Sequence, residues 1–238
     1  MLFSILSGGN PRDIAISLLL TIPIILIALS THEAAHGYAA YKLGDRTAYN
    51  LGRVTLNPAR HLDPMGSLCM LIFGYGWAKP VPINARNFRN PKKGMALTAI
   101  AGPISNILLG IIGATIYSVV LFLYSFYWQS IVANELLSNV MMVLLTFFYY
   151  FGIMNFMLAV FNLIPIPPFD GSRFFSLFLP DRIYFSLMKY ERQIMIGILI
   201  LLFAASRIFS VSPFSWAAEW LFNLIAGPIH RLLMVIFA

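Results

Sequence analysis

Two histidines and a glutamate lie within five consecutive residues, His32-Glu33-Ala34-Ala35-His36. On an α-helix, residues four apart share one face, so both imidazoles can point at one ion while Glu33 flanks it. Imidazole nitrogen is a preferred ligand of Zn²⁺, and a carboxylate beside the metal can serve as a general base. The pattern predicts a zinc site with Glu33 as a catalytic residue. The simpler alternative is a helix whose two histidines are satisfied by hydrogen bonds.

A catalytic zinc usually has three protein ligands, so a third side chain is needed. The single cysteine, Cys69, excludes a Cys-rich cluster and leaves the carboxylates as candidates. Asp170 is well placed, because it follows a proline-rich segment that cannot form regular helix and can hold a carboxylate rigidly. Two alternatives remain open here: Asp170 can instead cap the next helix, and Glu191 can supply the ligand.

The composition predicts that this chemistry takes place in a membrane. Of 238 residues, 59% are hydrophobic and 11% are charged, and the mean hydropathy of +0.79 excludes an ordinary water-soluble domain. Several apolar runs reach the roughly 20 residues that a helix needs to cross the hydrocarbon core. The net charge of +7 does not indicate nucleic acid, because the basic residues lie mainly between apolar runs. We expect an all-α polytopic protein in a lipid bilayer, without a nucleic-acid partner.

The predicted architecture is a single domain, residues 1–238, with about five to six transmembrane helices. Spans are expected at residues 14–44, 95–124, 140–164, 194–209 and 216–237, with a further half-span within 170–190. A short apolar stretch at residues 66–78, rich in glycine and aromatic residues, predicts a re-entrant hairpin between the first two spans. No removable signal peptide is expected, so the first span would stay in the protein.

The basic residues predict how the helices are oriented. Nine lysines and arginines lie from residue 42 to residue 93, whereas the loop at residues 125–139 has none. Cytoplasmic loops are enriched in Lys and Arg, so we expect the N-terminus outside and the histidine motif on the cytoplasmic side. A bacterial cytoplasmic membrane is the expected location.

Two separated motifs resemble those of the site-2 protease family of intramembrane zinc metalloproteases. The first is HEAAH at residues 32–36, and the second is NLIPIPPFDG at residues 162–171, where the family usually shows NxxPxxPLDG. Phe169 stands at the position of the common leucine. Gly102-Pro103 and Asn57-Pro58 also lie in segments similar to those of the family, and the resemblance covers roughly residues 14–175. We expect a minimal core without appended PDZ-like or CBS-like domains.

The resemblance implies an activity and a ligand set. His32, His36 and Asp170 would bind Zn²⁺, and Glu33 would be the base that activates water. The implied reaction is hydrolysis of peptide bonds within or near transmembrane segments of membrane protein substrates.

The resemblance also implies how a substrate is held. Asn162 would donate a hydrogen bond to the substrate carbonyl or oxyanion, although it can equally cap its own helix. The loop that contains Gly74 and Gly76 would offer a backbone edge to an extended substrate, and a plain packing hairpin is the alternative.

Three other functions are compatible with histidines and a glutamate inside a membrane. An ion-coupled transporter would line its path with such groups, but transporters are commonly built from repeats and the sequence has no evident internal repeat. An HtpX-like membrane metalloprotease would use a glutamate on a later helix, here Glu191. An inactive metal-binding scaffold would not need Glu33. The sequence indicates neither the individual substrate nor the oligomeric state.

Overall fold

The computed structural model describes residues 10–66, 78–180, 182–183, 189–190, 193–194, 196–198 and 213–237. In these ranges the regular structure is helical, and one isolated antiparallel bridge joins Leu62 to Ala78. The helices are α1 (Pro11–Lys42), α2 (Thr47–Asn50), α3 (Pro91–Phe126), α4 (Trp128–Val132), α5 (Glu135–Asn162), α6 (Asp170–Phe175) and α7 (Pro213–Phe237). Short 3-10 turns cover Pro58–Arg60, Ala85–Asn87 and Ser176–Phe178.

Four helices of the described chain are long and apolar enough to cross a membrane. They cover Ala15–Lys42, Pro91–Phe126, Glu135–Asn162 and Phe214–Phe237. The predicted all-α polytopic membrane protein is thereby confirmed. Most of the predicted span at 194–209 and most of the hairpin at 66–78 lie outside the described residues, so the total number of spans and the hairpin stay predictions.

Capping residues set the starts of α3 and α5. These helices begin at Pro91 and Glu135, earlier than residues 95 and 140, where the apolar runs predicted their starts. Asn90 Oδ1 accepts a hydrogen bond from the backbone N–H three residues on at 3.0 Å, and Asn134 Oδ1 does the same at 3.1 Å. Pro91 then occupies the first helical position, where its missing N–H costs nothing. α5 ends at Asn162 rather than at residue 164, since a residue before proline avoids helical backbone angles.

The chain divides into two compact units. The first comprises Met1–Ser105 and Asn162–Leu201, and the second comprises Asn106–Phe161 and Leu202–Ala238. The single domain over residues 1–238 stays a prediction.

The second unit has an apolar core with a buried polar contact. Phe156 of α5 and Phe222 of α7 pack with small alanines of α3 and α7. Asn106 Nδ2 donates a hydrogen bond to Asn155 Oδ1 over 2.9 Å, and both side chains are fully buried. Small residues allow helices in a membrane to approach closely, and an interhelical hydrogen bond adds about 1 kcal/mol.

In the first unit, Asp45 ties the end of α1 to the segment that precedes α3. Its buried carboxylate accepts hydrogen bonds from the Asn84 N–H and Asn87 Nδ2, each at 2.7 Å, and from the N–H and hydroxyl of Thr47. Burial by itself would raise the pKa of the Asp45 carboxyl, but these hydrogen bonds outweigh burial and lower the pKa. The segment at residues 78–87 is thereby fixed to the end of α1.

Candidate metal centre

His32, His36 and Asp170 converge in the first unit. Asp170 Oδ2 lies 3.1 Å from His32 Nε2 and 3.2 Å from His36 Nε2, and the two nitrogens are 3.0 Å apart. Each histidine is 6% exposed, so the rings are held inside the protein. The i, i+4 spacing on α1 brings the imidazoles together, and a carboxylate from a distant segment completes a group that could hold one metal ion.

The orientation of the His36 ring is fixed by α3. His36 Nδ1 lies 2.8 Å from the backbone carbonyl oxygen of Thr98. A carbonyl oxygen can only accept, so Nδ1 carries the proton and Nε2 of the neutral ring presents a lone pair to its neighbours. Histidines that bind metals usually donate their other ring N–H in this way.

Gly102 of α3 lies directly against both imidazoles. A Cβ at this position would be 2.5 Å from His36 Nε2 and 2.6 Å from His32 Cε1. These distances are well below van der Waals contact, so a residue with a side chain would have to displace the ring edges. The absence of a side chain at Gly102 is therefore what allows the histidines to occupy their positions.

The segment before Asp170 delivers its carboxylate to the histidines. Prolines 165, 167 and 168 cannot donate backbone hydrogen bonds, and α6 begins only at Asp170, with Phe169 as the N-cap. The alternative in which Asp170 is the cap is therefore not the one observed. Gly171 follows, and a Cβ there would overlap the carbonyl groups of Leu163 and Ile164, so only glycine allows this close return of the chain.

The histidines also stabilise the charge of Asp170. Burial by itself would raise the pKa of the Asp170 carboxyl, but the positive charge of a protonated His36 and the hydrogen bonds from His32 and His36 outweigh burial and hold that pKa well below its usual range. The carboxylate is therefore ionised at neutral pH, which is the form that binds a cation.

Glu33 is next to this group without belonging to it. Its Oε2 accepts a hydrogen bond from the backbone N–H of Val81 over 2.8 Å, and its charge interacts with His36. The carboxylate thus lies beside the three converging side chains with one oxygen already bonded to the backbone.

The structure describes only some of the other predicted residues. Asn162 is the last residue of α5 and is half-buried, whereas Gly74, Gly76 and Glu191 are outside the described residues. His61 is buried in the first unit with Nε2 2.8 Å from the Thr55 carbonyl oxygen, and it does not belong to the converging group.

Thr98, Val81 and Arg53 also contribute to the site, although the sequence did not identify them as site residues. Thr98 and Val81 act through backbone atoms, which leave no side-chain signal. Arg53 is one of the nine basic residues from position 42 to position 93, yet it is buried and its side chain donates a hydrogen bond to the segment that carries Val81. The sequence Lys79-Pro80-Val81-Pro82 shows one backbone N–H isolated between two prolines, but it does not indicate which group accepts from that N–H.

Known proteins share this sequence over most of its length. The profile of Peptidase family M50 matches residues 20–204. The chain belongs to this family. YwhC of Bacillus subtilis, whose name assigns it provisionally to the zinc metalloproteases, is 37% identical to the M50 protein over 177 residues, 74% of this chain and 77% of the relative.

Two mycobacterial proteins named Rip2, with the same provisional assignment, are more distant relatives of the M50 protein. The one from Mycolicibacterium smegmatis is 25% identical over 151 residues, 61% of this chain and 52% of the relative. The one from Mycobacterium tuberculosis is 26% identical over 212 residues, 87% of this chain and 74% of the relative. No solved structure matches.

The family and the apolar helices together establish the activity. This M50 protein is an intramembrane zinc metalloendopeptidase, an integral membrane protein with a membrane protein substrate. The predicted site-2 protease resemblance, protease activity and zinc cofactor are confirmed. The transporter, scaffold and HtpX-like alternatives are not favoured.

Proposed function

We propose that His32, His36 and Asp170 hold the zinc of this protease. Tetrahedral zinc with bonds of about 2.0 to 2.1 Å places its ligand atoms about 3.3 Å apart. The three separations here, 3.0, 3.1 and 3.2 Å, all lie within about 0.3 Å of that value. The convergence of two nitrogens and one carboxylate oxygen at these distances is the observation that carries the proposal.

We further propose that Glu33 is the general base. Bound zinc supplies Lewis acidity, which polarises a peptide carbonyl and makes a water molecule more acidic. A free oxygen of the Glu33 carboxylate accepts the proton of the attacking water and returns it to the nitrogen of the leaving amine. The His36 N–H stays on Nδ1, bonded to Thr98, throughout.

The substrates we propose are single-span membrane proteins cleaved within or near their transmembrane segment. A helix hides its carbonyls in its own hydrogen bonds, so the substrate must be extended at the site. Asn162 is proposed to donate its amide to the substrate carbonyl, and the loop with Gly74 and Gly76 to pair with the extended chain. The excess of basic residues between α1 and α3 supports an active site toward the cytoplasm and an N-terminus outside.

Zinc analysis of the detergent-purified protein tests the ligand set. We expect about one zinc per chain in the wild type and in Glu33→Gln, and little zinc in His36→Ala and Asp170→Ala. His230→Ala and Glu191→Ala are the matched controls, because each removes a group of the same chemistry outside the proposed set, and both should keep zinc. If Asp170→Ala retains zinc and Glu191→Ala loses it, the third ligand is Glu191 and not Asp170.

Cleavage tests the role of Glu33. Cells that co-express tagged single-span membrane proteins with the wild type should give fragments that are absent with Glu33→Gln, because loss of the base costs about 10²- to 10⁴-fold. Fragments that persist with a zinc-loaded Glu33→Gln variant would rule out this residue as the base.

A further inference from the structure

The carboxylate of Glu33 is held by the backbone of one proline-flanked residue. Val81 N–H donates to Glu33 Oε2 over 2.8 Å, and Val81 is 7% exposed. Pro80 and Pro82 have no N–H, so Val81 carries the only backbone donor of this tripeptide. Each proline also fixes its own φ near −65°, which stiffens the chain on both sides of that donor.

Arg53 holds the chain just before Val81. Its Nη2 donates to the carbonyl oxygens of Lys79 at 2.7 Å and Pro80 at 3.3 Å, while the His61 carbonyl accepts from the Lys79 N–H at 2.8 Å. The Arg53 side chain is 8% exposed and forms no ion pair with a carboxylate of the described residues. Burying a guanidinium without a carboxylate is unfavourable, and here the Lys79 and Pro80 carbonyl oxygens compensate part of that cost through Nη2, while Nε has no partner among the described residues.

The chain after Val81 is held equally firmly. Asp45 accepts a hydrogen bond from the Asn84 N–H at 2.7 Å. A Cβ at Gly37 would lie 3.4 Å from Val81 Cγ1, which shows that the Val81 side chain packs on α1 one turn beyond Glu33. The donor to Glu33 is therefore anchored before, at and after its own position.

We propose that residues 79–82, here called the strap, position the catalytic base, with Arg53 as a positioning residue that acts through the strap. The inference rests on the proposed role of Glu33. Bonding one carboxylate oxygen to the Val81 N–H restricts rotation of the carboxylate and directs the other oxygen to the attacking water. A displacement of the catalytic group by about 1 Å can lower the rate about 10²-fold.

Hydrogen exchange tests the bond without any substrate. In selectively ¹⁵N-valine-labelled protein in detergent micelles, the Val81 signal is identified by its loss in Val81→Ala. Its amide should exchange at least about tenfold faster in Glu33→Ala than in the wild type, because the acceptor is gone. The same rate in both proteins would overturn the proposal.

Paired proline substitutions test the effect on catalysis. Val81→Pro removes the N–H that bonds to Glu33, whereas Ile83→Pro removes an N–H that has no hydrogen-bond partner among the described residues. With a quenched fluorescent peptide that carries one apolar span, kcat should be about 10²-fold lower in Val81→Pro than in Ile83→Pro. KM and the zinc content should agree between the two variants. Equal kcat values would overturn the proposal.

Arg53 is tested by graded replacement. Arg53→Gln should lower kcat by about tenfold or more with KM and zinc unchanged, and Arg53→Lys, which keeps a charged donor, should recover part of that loss. Arg60→Gln is the control, because Arg60 is an exposed basic residue of the same loop. A loss of zinc or of folded protein in Arg53→Gln, without recovery in Arg53→Lys, would show a merely structural role.

The role of Glu33 as the base and the role of the strap in positioning it can be tested separately. Cleavage that persists in Glu33→Gln removes the general base, whatever the strap variants do. If Glu33→Gln is inactive while Val81→Pro and Ile83→Pro are equally active, the base stands and the strap does not position it.

Discussion

At the residue scale, Gly102 sets how closely α3 can approach the two histidines. Gly102→Ala should lower both the zinc content and the activity by at least about tenfold, because its Cβ would lie 2.5 Å from His36 Nε2 and would push the ring from its place. Zinc analysis and the cleavage assay measure this. Gly197→Ala is the matched control, since a Cβ there meets nothing within 4 Å. If Gly102→Ala binds zinc as the wild type does, the packing argument is wrong.

Side-chain chemistry was predictable from the sequence at this scale, and backbone chemistry was not. Helix geometry alone places His32 and His36 on one face. The prolines before Asp170 predict a rigid segment that holds its carboxylate. The Thr98 carbonyl and the Val81 N–H belong to residue types that carry no metal or acid–base chemistry. Their roles arise from tertiary contacts over 62 and 48 residues of sequence, which no local pattern encodes.

At the element scale, Asp45 joins the end of α1 to the segment that leads into α3. Asp45→Asn should destabilise the protein by about 2 kcal/mol, because one oxygen becomes an amide that faces hydrogen-bond donors in a buried position. The midpoint of thermal unfolding in detergent measures the loss. Asp63→Asn should cost less, since within the described residues the Asp63 side chain accepts one hydrogen bond, from the nearby Gly66 N–H. If Asp45→Asn and Asp63→Asn lower the unfolding midpoint equally, the additional hydrogen bonds of Asp45 do not contribute to stability.

The stabilisation from Asp45 should depend on pH in a defined direction. Its pKa in the folded state is lowered from the ordinary value of about 3.9, so the folded protein binds the proton less tightly than the unfolded chain. The contribution is therefore present above about pH 4 and is lost as the pH falls through the lower, folded pKa. The difference in unfolding midpoint between wild type and Asp45→Asn should be constant from about pH 5 to 8 and should shrink below about pH 4. A gap that widens in acid would contradict this assignment.

The elements themselves were predictable to different degrees. Long apolar runs identified α1, α3, α5 and α7, because membrane helices must satisfy their backbone internally. Their starts were placed too late where Asn90 and Asn134 act as caps, since a polar cap lies outside the apolar run that was counted. The segment between α1 and α3 was recognised as polar and turn-rich, but its hydrogen bonds to Asp45, Arg53 and Glu33 join positions distant in sequence and could not be read from it.

At the scale of the whole molecule, the orientation in the membrane decides from which side water and substrate reach the site. α3 crosses from residue 91 to residue 126, so positions just before and just after it lie on opposite sides. The natural chain has one cysteine, Cys69, and Cys69→Ala would give a cysteine-free background for labelling. Arg89 and Ser130 are exposed and flank α3, so each can be replaced by cysteine there.

A membrane-impermeant maleimide applied to intact cells should label Ser130→Cys and should label Arg89→Cys only after permeabilisation. The physical reason is that the basic segment before α3 resists translocation, whereas the loop at 125–139 contains no Lys or Arg. Zinc content confirms that each labelled variant is folded. The opposite labelling pattern would place the segment that carries Val81 outside the cell. Since that segment bonds to Glu33, the base and the histidines would then open to the outer surface, and substrates would have to be sought among proteins cleaved from that side.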